Sequence, residues 1–203
     1  MALSTFADLK SAVADFLNRD DLTAVIPTFV ALAEADMNRK LRTIAQETRS
    51  TATLDAQYSG LPADWLETIS LRIDGADQRM VLASVAEIAD KRAWSSDAAG
   101  KPTHYAHVAG GLELYPTPDD TYTAELVYHA KVTALSTDGS TNWLLTNHPD
   151  AYLYGALMHS APYLKDDPRI AVWVGLYAAA LESINQASTD ARFSGTGLRL
   201  RFS

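Results

Sequence analysis

Two helix-shaped segments meeting at Lys165-Asp166-Asp167-Pro168 constrain this chain more than any other stretch. The first opens at Asn147-His148-Pro149. Asn147 is a capping residue, and Pro149 suits an early helical position because its missing N–H would have no partner there. Tyr152, Leu153, Ala156, Leu157, Ser160, Tyr163 and Leu164 then recur at three- and four-residue steps, one face of a helix. Asp167-Pro168 repeats the start signal, and Val172, Trp173, Leu176, Tyr177, Ala180, Leu181 and Ile184 keep the same period. Two apolar stripes joined by so short a polar link predict an antiparallel helical pair. Past Ala187 the period stops, and an irregular tail is expected to Ser203.

The N-terminal part reads the same way. Thr5 with Asp8 three residues later resembles a capping box, and Phe6, Leu9, Val13, Phe16 and Leu17 make the stripe of a first helix. A second helix has Pro27 in its first turn and Leu22, Ile26, Phe29, Ala33, Met37 and Leu41 on its buried side. Glu34, Asp36, Asn38, Arg39, Lys40 and Arg42 are expected on its outer, polar side. From Ser50 the texture becomes strand-like: Thr51 to Leu54, Trp65 to Ile73 and Gln78 to Leu82, with turns at Gly60-Leu61-Pro62 and Asp74-Gly75. Ser84-Val85-Ala86-Glu87 is a capping box that opens a short helix to about Trp94. His104 to Val108 and Leu112 to Tyr115 flank Ala109-Gly110-Gly111, a hairpin signal, and Thr121 to Lys131 alternates at period two.

The fold class expected is therefore α+β. Residues 1–49 and 142–187 form an antiparallel helical bundle. Residues 50–141 are an inserted, mostly antiparallel β-rich lobe with one short helix, and 188–203 an extended C-terminal arm. A chain of 203 residues that is 47% hydrophobic is long enough for one substantial core or two small ones.

Formal charge is −8, which argues against nucleic-acid binding over a broad face, since such binding rests on many Lys or Arg contacts to phosphate. An acidic wall past which DNA slides is compatible with it. Cysteine is absent, so neither a disulfide framework nor a thiolate zinc site arises. The first residues lack a basic, apolar signal sequence, and no stretch reaches the roughly 18 apolar residues of a membrane span. A soluble, intracellular protein without a membrane partner is expected.

Chemistry-bearing residues do not converge. His104 and His107 are three apart on a strand and so point to opposite faces; His148 and His159 are eleven apart, about three helical turns. His129 lies near Glu125 as a surface or cross-strand contact. No nucleophile elbow or phosphate-cradling loop is present, and Gly195-Thr196-Gly197 lacks a strand-then-helix setting. Asp20-Asp21, Asp119-Asp120 and Asp166-Asp167 each sit in a turn, where Asp caps backbone N–H groups. A catalytic reading needs a carboxylate with a raised pKa in a cleft. The tryptophans and tyrosines are read mostly as core. No catalytic residue, metal or cofactor is expected. Two rival readings stay open: a hydrolase with a dispersed Asp/His site, and a carbohydrate-binding module using Tyr105, Tyr115, Tyr122 and Tyr128.

The tail differs from the rest. After Asp190 come Arg192, Arg199 and Arg201 and no acid. Leu198, Leu200 and Phe202 alternate with Arg199 and Arg201, behind the hinge Ser194-Gly195-Thr196-Gly197. That pattern suits adding a strand to a partner's sheet. The docking residues expected are Arg192, Phe193, Leu198, Arg199, Leu200, Arg201 and Phe202. Fully extended, the segment from Ser188 would reach about 50 Å.

The order of features resembles the head-to-tail adaptor (connector) proteins of tailed bacteriophages. The matching pieces are Arg19 to Arg42, Leu61-Pro62-Ala63-Asp64-Trp65, Leu112 to Pro118, Tyr122 to Tyr128, Asn142-Trp143-Leu144-Leu145 and Pro149 to Leu157. The resemblance implies a structural virion protein assembled in the host cytoplasm as a dodecameric homo-oligomeric ring under the portal protein. Such a ring extends the DNA channel without sequence-specific binding and gives tail, stopper or nozzle proteins a platform. It implies that 188–203 reaches the portal; in such a ring the outward polar helix faces are expected to supply the subunit contacts.

Overall fold

The computed structural model describes residues 3–19, 21–76, 78–95, 98–164 and 167–194. They are α+β, with six α-helices and seven strands among the described residues. The chain divides into two compact units, one from its two ends (to Gln46 and from Val132) and one from Glu47–Lys131.

In the first unit, α1 (Phe6–Leu17) begins with a complete capping box. The Thr5 hydroxyl accepts from the Asp8 N–H, and the Asp8 carboxylate accepts from the Thr5 N–H at 3.0 Å. The next free N–H groups, those of Phe6 and Ala7, donate to the carbonyls of Ser140 and Asp138. Segment 132–141 is thereby tied to the helical unit. The stripe on α1 is Phe6, Leu9, Ala12, Val13 and Leu17; Phe16, expected in it, is exposed, and Ala12 fills the place.

α2 (Ile26–Lys40) starts with Pro27 and buries the stripe expected of it. Its outer side is not uniformly polar and solvated. Glu34 and Asp36 are only 7% and 8% exposed, because each meets a buried tyrosine from a later helix. After a 3-10 turn at Ile44–Gln46 the chain leaves this unit and re-enters it at Val132. α4 (Trp143–Asn147) is capped by Asn142, whose Oδ1 accepts from the Leu145 N–H at 2.8 Å. Asn147 therefore closes a helix instead of opening one; α5 (Pro149–His159) has no side-chain cap at His148. α5 buries Ala151, Tyr152, Leu153, Gly155, Ala156 and Leu157, positions all round its axis, as expected of a helix enclosed by others. It packs against α1, α2, α4 and α6 (Arg169–Phe193).

α6 starts after Pro168 as expected, but corrects the sequence reading at its end and on its buried face. It does not stop at Ala187 but continues to Phe193, so Ser188 to Phe193 are helix and not irregular tail. Its buried residues are Trp173, Tyr177, Ala180, Leu181 and Ile184; Val172 and Leu176, assigned to the stripe, are 59% and 41% exposed.

The second unit has two sheets. β1 (Glu47–Leu54) and β3 (Trp65–Ile73) flank β7 (Tyr122–Ala130), both antiparallel to it. β2 (Tyr58–Gly60), β6 (Gly111–Tyr115), β5 (His104–Val108) and β4 (Val81–Leu82) form the other sheet in that order. β4 runs parallel to β5, so the lobe is mixed. Strand β1 begins four residues before the predicted Thr51, and only Val81–Leu82 of the predicted 78–82 strand is a strand. The hairpin β5–β6 turns through Ala109 and Gly110, both at positive φ, as a two-residue turn requires. Gly111 is already strand. A Cβ on it would come within 2.8 Å of the Ser59 carbonyl oxygen, so glycine is needed there for the close approach of β2. The core of this unit is Leu54, Leu71, Ile73, Met80, Tyr105, Leu112, Leu114, Ala124, Leu126, Tyr128 and Ala130. α3 (Val85–Ser95), opened by the Ser84–Glu87 capping box, is fixed to β6 through Arg92, which bonds Glu113 at 3.3 Å and Thr117 at 2.8 Å.

Candidate functional site

The residues expected to dock start on the last turn of α6, so what holds α6 decides where they are presented. Three sets of contacts fix that helix to the rest of its unit. At its start the Asp167 carboxylate accepts from the Arg169 N–H at 2.9 Å and from the Arg169 guanidinium at 2.6 Å. Arg169 also lies over the Trp173 ring, at 5.2 Å, and donates to the Phe16 carbonyl at 3.1 Å, linking α6 to the end of α1. At mid-helix the buried Tyr177 hydroxyl donates to Asp36 at 2.9 Å, and Lys40 and Arg39 donate to the same carboxylate at 2.7 and 3.1 Å. Near the end, Asn185 donates to the Lys40 carbonyl and accepts from the Arg42 N–H, while the Ser188 hydroxyl accepts from the Ile44 N–H at 2.9 Å.

Those contacts set the electrostatics of Asp36. Burial pushes its carboxyl upward, but the hydrogen bonds from Lys40, Tyr177 and Arg39 outweigh that and hold it below its ordinary value. Glu34, two residues earlier, accepts from the Leu135 N–H at 2.9 Å and from the Tyr152 hydroxyl at 3.1 Å, both neutral donors. Burial wins there, and its carboxyl is raised. Tyr152 accepts in turn from Asn142, which also donates to the Thr133 carbonyl at 2.7 Å. Glu34, Asn38 and Asn142 thus satisfy polar groups of the segment that returns the chain from the β-rich unit. The role of these buried pairs is to join helices and loop.

Of the docking residues, Arg192 and Phe193 stand exposed on the final turn of α6, one turn beyond the Ser188 anchor. Ser194 ends the helix with its N–H and hydroxyl on the Ala191 carbonyl. Leu198, Arg199, Leu200, Arg201 and Phe202 lie outside the described residues, as do Gly195 and Gly197 of the expected hinge.

The rival chemistries find little to stand on. His104 and His107 lie on β5, with His107 against the rings of Trp65 and Tyr105. His148 lies against Trp143, and His129, buried on β7, is in register with Glu47 and Glu67 on the flanking strands. Among the described residues no group of three His, Asp or Glu could hold a metal ion. Asp21 and Asp167 are ion-paired with Arg19 and Arg169, and those hydrogen bonds hold both carboxyls below the ordinary range, the reverse of what a general acid needs. Asp119 accepts from Tyr122 at 2.6 Å, which pushes that phenol up to about 12. Asp20 and Asp166 lie outside the described residues. Of the tyrosines proposed as a sugar platform, Tyr105 and Tyr128 are buried in the β core.

Exposed aromatic and apolar side chains are instead where sequence reasoning expected core. Trp94, at the end of α3, is 92% exposed, and Tyr58, Val81, Leu82 and Val85 of the same unit are exposed too. A tryptophan two residues after Lys91-Arg92 and just before the polar loop at 95–102 carries the signal that could have marked it.

No helix among the described residues is long and apolar enough to cross a membrane. No curated protein matches the chain. A family model described as SU10 adaptor protein matches residues 4–201, nearly the whole chain and both units. The chain belongs to the SU10 adaptor protein family, a family of phage head-to-tail adaptors.

Proposed function

We propose that this phage structural protein works as one subunit of a dodecameric ring between the portal and the tail. In this reading the helices of the chain's two ends form an antiparallel bundle that is the body of the ring. The segment after Ser194 docks on the portal, and the β-rich unit is part of the platform met by tail, stopper or nozzle proteins. Assembly takes place in the host cytoplasm. The acidic balance of −8 suits a channel wall past which DNA moves without being retained.

The observation that carries the reading is the family match over residues 4–201. Supporting it, the described residues show buried carboxylates used as joints between helices, and a last helix anchored at Ser188, ten residues before the basic, alternating segment that starts at Leu198. Arg199 and Arg201 would pair with acidic groups of the portal, and Leu198, Leu200 and Phe202 would enter apolar pockets.

The test is a truncation, and α6 dictates where to cut. Removal from Ser188 would delete helix and the Ile44–Ser188 bond. Removal of 195–203 leaves every described contact in place. That shorter chain should stay folded and fail to join portal-bearing particles. Normal attachment would refute the docking role, and electron microscopy of the native particle would count the subunits of the ring directly.

A further inference from the structure

The first half of α6 is apolar all the way round. Twelve residues from Ile170 to Leu181, Ile-Ala-Val-Trp-Val-Gly-Leu-Tyr-Ala-Ala-Ala-Leu, contain no charge. A helix apolar on every side belongs in an interior, as the enclosed α5 illustrates in this same unit. Yet α6 is covered on one side alone. Trp173, Tyr177, Ala180 and Leu181 are buried, while Ala171, Val172, Val174, Gly175, Leu176, Ala178 and Ala179 are exposed. The band is too short to span a bilayer.

A second uncharged face occurs on the same unit. On α2, Thr28, Ala31, Leu32 and Ala35 are exposed and follow one another at three- and four-residue steps, which places them on one face of the helix. The buried stripe and the Glu34 and Asp36 joints occupy its other sides. The two faces end in opposite charges. Glu182 is exposed ten residues after Val172, and Arg39 is exposed eleven residues after Thr28. At about 1.5 Å per residue, the two charges lie at nearly the same height above their stripes.

Deepening the ring reading, and resting on it, we infer that the outer face of α6 packs in parallel on the outer face of α2 of the next copy of this chain. Val172, Gly175 and Ala179 would meet Thr28, Leu32 and Ala35, with Glu182 beside Arg39. Small residues on both sides allow the close approach of two helices. A contact between two different faces of identical subunits is heterologous, the kind that generates rings. Copies carrying −8 each repel, so the surfaces through which they meet should be uncharged at the centre, as these are. In this inference the uncharged faces of α6 and α2, and not the outward polar helix faces, supply the subunit contacts.

The absence of cysteine makes the test clean. Chains carrying Ala35→Cys, Ala179→Cys or both are supplied during infection by the phage that encodes this protein. The particles are purified, oxidised with copper phenanthroline and run on non-reducing gels, with the protein followed by mass spectrometry. The double variant should give a ladder of dimers, trimers and larger species, and each single variant should remain monomeric. Adding Glu182→Lys should cut the cross-linked fraction severalfold. Dimers from Ala179→Cys alone would show two α6 faces meeting each other and overturn the inference. Particles that contain the double variant but yield no cross-link would also overturn it, because another protein would then cover α6. Particles that lack the chain altogether would refute the adaptor-ring reading, and the interface with it.

Discussion

Gly155 shows how tightly single residues are specified in the helical unit. A Cβ there would stand 3.0 Å from the Tyr177 ring, 3.1 Å from the Ala33 Cβ and 3.2 Å from the Met37 methyl, all of them buried. Gly155→Ala should cost about 1–3 kcal/mol through overpacking, although alanine is the better helix former; thermal or denaturant melting would show it. Glu34 offers a pH test. Its carboxyl is raised by burial, so the folded state holds that proton more tightly than the unfolded chain. The stability this contributes is complete below the ordinary Glu range and is lost as pH rises through the raised value. Asp36 has the opposite sign: its contribution is present above its ordinary value and lost in acid. Glu34→Gln should therefore lose less stability than the wild type between about pH 5 and pH 7. Parallel melting curves at the two pH values decide it, since comparison with the wild type cancels the histidines. Equal losses would mean that Glu34 does not titrate in that window.

At the scale of elements, local signals set the starts of helices more firmly than their ends. The capping boxes at Thr5 and Ser84 are both formed, because their hydrogen bonds close within four residues of sequence. Thr5→Ala should destabilise the protein by about 1 kcal/mol, measurable by denaturant titration. The end of α6 was not legible. Its apolar period stops at Ile184, whereas the helix runs on for more than two turns, supported by Asn185 and Ser188 reaching residues more than 140 positions away. Two truncations should accordingly separate: removal of 188–203 lowers the melting temperature by several degrees more than removal of 195–203. Identical melting of the two would show that the last turns of α6 add nothing to the fold.

At the scale of the molecule, the chain has two cores, each closed by its own residues. Leu114, fully buried in the β-rich unit, tests this division. Leu114→Ala should cost that unit about 2–5 kcal/mol. Hydrogen exchange should then rise first in the strands of 47–131, with the amides of α2 and α5 keeping their protection. The sequence by itself determined the capped helix starts at Thr5 and Ser84, the hairpin turn at Ala109-Gly110 and membership of an adaptor family, because caps, turns and apolar periodicity are recorded over a few neighbouring residues. Tertiary structure alone decided which faces those elements cover. Glu34 and Asp36 went inside because Tyr152 and Tyr177, more than 110 residues away, supplied partners for them. Val172 and Leu176 stayed outside because nothing in the described residues covers that face. Periodicity reports how much apolar surface must be buried. It does not report which chain will bury it.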